Sequence, residues 1–284
     1  MSDVRAISVS VLRDAVARLL ADCNVEIPAD ILTGLRQAAA REPSPLARRT
    51  LEQLVHNYEV AAIDRVPVCQ DSGVAVVFLE VGQDVHWVDG SVMEAVAEGI
   101  REGTRSGYLR WSVTGDPTRR LRMLGDEAPG VVHIEYRPGR DVHLTVASKG
   151  FGAENMSTLT MLVPSDGVDG IERVVVDTVD RAGANACPPV IVGVGIGGTF
   201  DAAARLAKKA VFRPIDIRHS RPDLRDLEAR LLDRVNALGI GAQGFGGEVT
   251  ALAVNIEVYP THIAGLPVAV NLGCHSTRRK SLTL

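Results

Sequence analysis

The chain has 284 residues, 46% of them hydrophobic and 23% charged, with a formal net charge of −4, an ordinary globular profile with no basic excess to draw nucleic acid. Its length is enough for a sizeable core, and four cysteines are too few for a disulfide scaffold. No apolar run approaches the roughly 18 residues of a membrane span, and the first residues lack the pattern of a signal peptide, so reduced thiols and a cytoplasmic location are expected.

Taken in order, residues 8 to 64 read as a helical preface. Val11, Leu12, Val16, Leu19 and Leu20 recur at helical spacing, Pro28 suits a helix start, and Ile31, Leu32, Leu35 and Ala39 continue one face. The break Glu42-Pro43-Ser44-Pro45 separates a third helix, from about Leu46 to Ile63. Next comes Val66-Pro67-Val68-Cys69-Gln70-Asp71-Ser72-Gly73, a polar loop feeding the apolar run Val74–Leu79, which reads as a buried strand. Gly90 to Ser106 has helix spacing again, and a long irregular stretch, Gly107 to Pro129, follows. Val131–Tyr136 and Val142–Ala147 alternate apolar and polar residues around Arg137-Pro138-Gly139-Arg140, which predicts a β-hairpin.

A glycine-rich turn, Lys149 to Asn155, opens the second half. The expected order is then a helix from Gly167 to about Ala182, a loop at Cys187, a strand over 190–194, a glycine turn and helices over 199–211 and 224–238. A second glycine cluster, Gly239 to Gly247, precedes a strand over 249–258, and the tail after Arg278 reads as loosely structured. With no repeat or low-complexity linker, the expectation is one mixed α/β (α+β) domain over 1–284, with residues 1–64 as its preface.

Three of the four cysteines lie in loops with Pro or Gly beside or near them: Cys69, Cys187 and Cys274, each about a hundred residues apart. Cys23 lies inside a helical pattern and reads as a small core residue. Structural zinc favours paired spacing such as C-x2-C, whereas widely spaced single thiolates suit an iron–sulfur cluster. Three ligands for a four-iron cluster leave one iron open as a Lewis acid. Gly193-Val194-Gly195-Ile196-Gly197-Gly198 matches G-x-G-x-x-G, with Asp216 downstream, so nicotinamide binding stands as an alternative. The same glycines also suit a turn whose amides face an anion or a cluster. His262, twelve residues before Cys274, could face the cysteine site, Arg110 and Lys149 are candidate clamps for an anion, and Asp71 could move protons or cap its turn.

Together, Val66–Gly73, Lys149–Ser157, Cys187-Pro188-Pro189 with Gly193–Thr199, and Pro260–Ala264 with Cys274-His275 resemble the class I, iron–sulfur-dependent fumarate hydratases. The likeness runs from about residue 10 to the end, in the style of the separate α subunit of two-subunit enzymes, and extends to the related L-tartrate dehydratases. It implies a [4Fe–4S] cluster held by Cys69, Cys187 and Cys274, and interconversion of fumarate and (S)-malate. It further implies a dicarboxylate pocket lined by Gln70, Asp71, Arg110, Gly152 and His262, with Asp71 and His262 the candidates for proton handling. It also implies a β subunit that completes the site, an α2β2-type assembly in which the chain homodimerises, and no activity of the chain alone. A non-catalytic relative that keeps the cluster is a further reading. Ser72 stands where the family usually has Thr, and Met123 to Pro129 replaces the family's Asn-Thr-Gly-Asp-Asn-Thr-Pro, a difference that bears on substrate or β-subunit contact. The turn over 149–157 looks fumarase-like, which puts fumarate ahead of tartrate.

Overall fold

The computed structural model describes residues 4–120 and 128–284, so most of the divergent 123–129 segment lies outside the described residues. In chain order the elements are β1 (Arg5–Ser8), α1 (Val9–Val25), α2 (Ala29–Arg41), α3 (Pro45–Asp64), β2 (Val74–Gly82), β3 (Val85–Val88) and α4 (Val92–Ser106). After these come β4 (Val131–Arg137), β5 (Val142–Lys149), α5 (Phe151–Glu154), β6 (Thr158–Leu162), α6 (Gly167–Ala182), β7 (Val190–Gly197) and α7 (Phe200–Val211). The chain ends with α8 (Pro222–Asn236), β8 (Ala251–Tyr259), β9 (Leu266–Gly273) and β10 (Arg278–Thr283). The fold is mixed α and β, as expected from the sequence. No helix among the described residues is long and apolar enough to cross a membrane.

Two compact units divide the chain, one of residues 1–28, 58–150 and 278–284, the other of 29–57 and 151–277. The first is built on a four-stranded sheet in the order β10-β5-β2-β4, with β1 and β3 as a separate parallel pair. α1 packs against α4 and against β5 and β10. Its core joins Leu12, Val16 and Leu19 of α1 and Val96 and Ile100 of α4 to Val77, Leu79, Leu144 and Val146 of the sheet. The helices begin where short polar side chains can cap them: Ser8 Oγ accepts from the Ser10 N–H and Ser91 Oγ from the Glu94 N–H, both at 3.4 Å.

Two expectations fail in this unit. The strands at 131–137 and 142–149 exist, but they form no hairpin: β2 lies between them, parallel to β4 and antiparallel to β5. β2 is the most apolar of the three and takes the central place, where both of its edges are paired and most of its side chains are buried. The supposedly loose tail is β10, paired antiparallel with β5 from Arg278↔Ser148 to Thr283↔His143. Its polar sequence hides a strand whose ladder is supplied by a partner 130 residues away in the chain.

The second unit carries a four-stranded sheet in the order β6-β9-β7-β8, β7 running parallel to β8 and antiparallel to β9. Alternate residues of β7 serve its two faces. Val190, Val192, Val194 and Ile196 join the core formed with α6 and α8, through residues such as Val175, Val179, Leu227 and Leu231. Gly193 and Gly195 face α7 instead: a Cβ on Gly195 would lie 2.1 Å from Ala203 O, and one on Gly193 would lie 2.3 Å from Ala207 O. These two glycines are spent on letting helix backbone touch strand backbone. They lie inside the strand, so the first two glycines of the dinucleotide fingerprint are not in the strand-to-helix turn, which falls at Gly197–Thr199.

Candidate active site

The Cys69 loop joins α3 to β2 in the first unit and is held at nearly every residue. The Val66 N–H donates to Ala61 O (3.1 Å) and the Val68 N–H to Asn24 O (2.9 Å). Cys69 is half-buried, its Sγ donating to Gln70 Oε1 (3.3 Å) and accepting from the Asp71 N–H (3.4 Å). Asp71 Oδ1 accepts from the Gly73 N–H at 3.0 Å, so the capping role weighed for this carboxyl is realised by one of its oxygens. Ser72 is buried; its Oγ accepts from the Arg110 N–H (2.9 Å), and its carbonyl accepts from Ser148 Oγ. Gly73 has φ +70°, and a Cβ there would stand 2.1 Å from Lys149 O, so only glycine fits.

Beneath this loop lie cations that the sequence reading placed elsewhere or missed. Lys149, expected in a loop, ends β5, is 4% exposed and donates from Nζ to Gly150 O (3.2 Å). Arg278, read as part of a loose tail, is 1% exposed and donates to Asn24 Oδ1 (2.9 Å) and to the Asp71 carbonyl (2.8 Å). A Cβ on Gly150 would stand 3.1 Å from Asp71 Oδ2 and 3.5 Å from an Arg278 nitrogen, a measure of how closely the segments meet. The signal that could have revealed Arg278 is the basic run Arg278-Arg279-Lys280, four residues after a cysteine.

The second unit holds the other two candidate thiols. Cys187 caps a short 3-10 turn in the left-handed conformation (φ 52°, ψ 65°), and its carbonyl accepts from the His275 N–H at 3.2 Å, which ties the Cys187 and Cys274 segments together. Gln243, in the second glycine cluster, donates both its backbone N–H and its Nε2 to Pro188 O, each at 2.8 Å. Cys274 follows β9; its Sγ lies 3.2 Å from Ser276 Oγ, and its carbonyl accepts from Thr277 Oγ1 at 2.8 Å. Gly152 sits in α5, on an exposed turn.

His262 is exposed, and its Nδ1 accepts from the Ala264 N–H at 3.2 Å. It precedes β9 and Cys274 follows it, so the eight residues of that strand separate them. At about 3.3 Å per residue the strand itself spans roughly 26 Å. The twelve-residue spacing does not bring them together there.

Behind α5 lies a polar cluster that joins Glu154 and Ser157, from the 149–157 turn, to Lys208 and Asn271. Glu154 accepts from Lys208 Nζ and from Asn271 Nδ2 (2.7 Å), while Ser157 Oγ accepts from Asn271 Nδ2 (2.9 Å) and the Leu272 N–H (3.2 Å). Burial pushes the Lys208 ammonium below its ordinary value, opposed by Glu154. The cluster borders a cavity of about 250 Å³ and fixes the start of the segment that ends in Cys274.

Within either unit, no three His, Cys, Asp or Glu side chains among the described residues gather as a metal site. Cys69 belongs to one unit, and Cys187 and Cys274 to the other. All three are half-buried and loop-borne, the setting of a reachable thiol, and Cys69 already accepts an amide N–H. Cys23 differs: it is fully buried, and burial pushes its thiol up to about 12. The donor set therefore fits thiolate coordination at three positions and rules out the fourth cysteine.

A family model for fumarate hydratase (Fumerase) matches residues 13–283. Similar proteins include the "Putative L(+)-tartrate dehydratase subunit alpha" of Methanocaldococcus jannaschii, 39% identical over 273 residues that cover 94% of this chain and 95% of the relative. The L(+)-tartrate dehydratase subunit alpha of Escherichia coli K12 is 31% identical over 277 residues, covering 97% of this chain and 91% of the relative.

Proposed function

The chain belongs to the fumarate hydratase (Fumerase) family, and from that premise we propose that it is the α subunit of an iron–sulfur hydro-lyase acting on a small hydroxy-dicarboxylate. The substrate order is the reverse of the one read from the 149–157 turn. L(+)-tartrate dehydration stands first, because the similar proteins of nearly full coverage carry that name, and the fumarate–(S)-malate pair stands second, on the family model and that turn. Residues 1–284 would act as one functional domain.

Cys69, Cys187 and Cys274 would hold a [4Fe–4S] cluster, and the observation that carries this is the contrast between three half-buried loop thiols and one sealed in the core. When bound, such a cluster supplies a Lewis acid that polarises the departing hydroxyl. The chain's own groups do the rest. Arg110, exposed and anchored through its backbone to Ser72, would clamp a carboxylate through paired hydrogen bonds. Gln70 and the backbone at Gly152 would line the pocket. Asp71, fixed at its carbonyl, amide and Oδ1, would serve in proton handling. His262 would share this task. A β subunit would complete the pocket.

Anaerobic reconstitution with iron and sulfide tests the ligand set. About four irons per chain are expected, with a three-iron paramagnetic signal after brief oxidation. Ser at Cys69, Cys187 or Cys274 should abolish assembly, while Cys23→Ser should keep it; a full cluster in Cys187→Ser would sink the assignment. Turnover of L(+)-tartrate against (S)-malate by the complex with its β subunit then decides the substrate.

A further inference from the structure

Under the Cys69 turn stands a buried guanidinium that takes no part in the roles above. Arg278 is 1% exposed, and both of its hydrogen bonds go to neutral amide oxygens, Asn24 Oδ1 and the Asp71 carbonyl. Its Nε has no partner among the described residues. Removing a guanidinium from water is costly unless other charge and hydrogen bonds compensate, and an apolar side chain of similar volume would often serve packing as well or better. Filling space therefore does not account for an arginine here.

Its geometry does. Asn24 accepts the Val68 N–H through its own carbonyl and the Arg278 guanidinium through its side chain. The Asn24 amide is itself aimed, Nδ2 donating to Leu20 O at 2.9 Å. Arg278 thus connects α1 to the turn on both sides of Cys69: through Asn24 to residue 68, and directly to residue 71. Residue 71 is the one whose N–H reaches Cys69 Sγ and whose Oδ1 closes the turn on Gly73. A planar fork meets two acceptors at a fixed angle, which a lysine cannot reproduce.

We infer that Arg278 is a positioning residue: it fixes the turn from Val68 to Asp71 so that the Cys69 thiol and the Asp71 carboxyl keep one direction. The consequence for a cluster rests on the proposed function; the hold on the turn does not.

The test uses the full chain as Arg278→Met and Arg278→Lys, in two arms. In the unloaded chain, amide hydrogen exchange at residues 69–73 should rise at least tenfold in Arg278→Met relative to the change in β2 and β5, and less in Arg278→Lys. After anaerobic reconstitution, iron should be lost at least tenfold faster from Arg278→Met, with a shifted three-iron signal that Arg278→Lys partly restores. Exchange rising equally through α1, β2 and β5, with iron retention and signal unchanged, would make Arg278 a stabilising residue only and overturn the inference. Should Arg278→Met fail to fold, Arg278→Lys carries both arms, and wild-type behaviour there overturns it equally. No iron in the wild-type chain would sink the cluster reading, while the exchange arm would still decide the role of Arg278.

Discussion

Cys23 and Cys69 show how one functional group acquires two characters. Cys23 Sγ donates to Leu20 O (3.3 Å) inside α1, and its thiol is held up to about 12 because burial penalises the thiolate, against the weaker pull of Arg278 and Lys280. The raised value means that the folded state keeps a proton which the unfolded chain releases above about pH 9. The stabilisation is whole below pH 9 and is lost as the pH climbs from 9 to about 12. We expect unfolding free energy in that window to fall by up to about 1.4 kcal/mol per pH unit more in the wild type than in Cys23→Ala. Urea titrations at stepped pH read this directly, and parallel curves for the two proteins would refute it. Cys23 should also resist alkylation in the folded chain. Glu42, read only as part of a helix break, is another residue whose use is tertiary: it is 1% exposed, and its carboxylate accepts the N–H groups of Ser44, Glu248 and Val249.

Among the elements, β7 carries the most telling pattern. Its G-x-G-x-x-G string reads as nucleotide binding when taken as a motif and as close packing when taken as a strand. The alternation decides, since branched residues fill the α6/α8 side and glycines admit α7. Gly195→Ala should cost roughly 3 kcal/mol, the upper end of overpacking penalties, because its Cβ would meet helix backbone that cannot swing aside. A denaturation midpoint like that of the wild type would contradict this. β4 and β5 teach a related lesson: alternation and a Pro-Gly turn identified two strands, yet not their neighbours, because pairing is settled by which strand best fills the centre of the sheet. In β10, the outward polar residues concealed Leu282, which joins the first unit's core.

Across the whole molecule, the chain passes between units after residues 28, 57, 150 and 277, so the helical preface is shared: α1 in the first, α2 and the start of α3 in the second. The chain spans nearly the whole length of relatives named as α subunits. We expect light scattering after mixing with the β subunit to give an α2β2 mass, and turnover to appear only in that complex. Turnover by the chain alone would remove the partner from the mechanism. The sequence by itself determined the longer helices, half of the strands among the described residues and the three thiols that differ from the fourth, because periodicity, turn chemistry and local polarity are properties of neighbouring residues. Only the tertiary structure decided that β2 splits an apparent hairpin, that a polar tail is a strand, that His262 and Cys274 lie at opposite ends of β9, and that Arg278 stands under the Cys69 turn. Each of those depends on partners far away in sequence, whose pairing is chosen by burial and hydrogen-bond satisfaction over a whole unit.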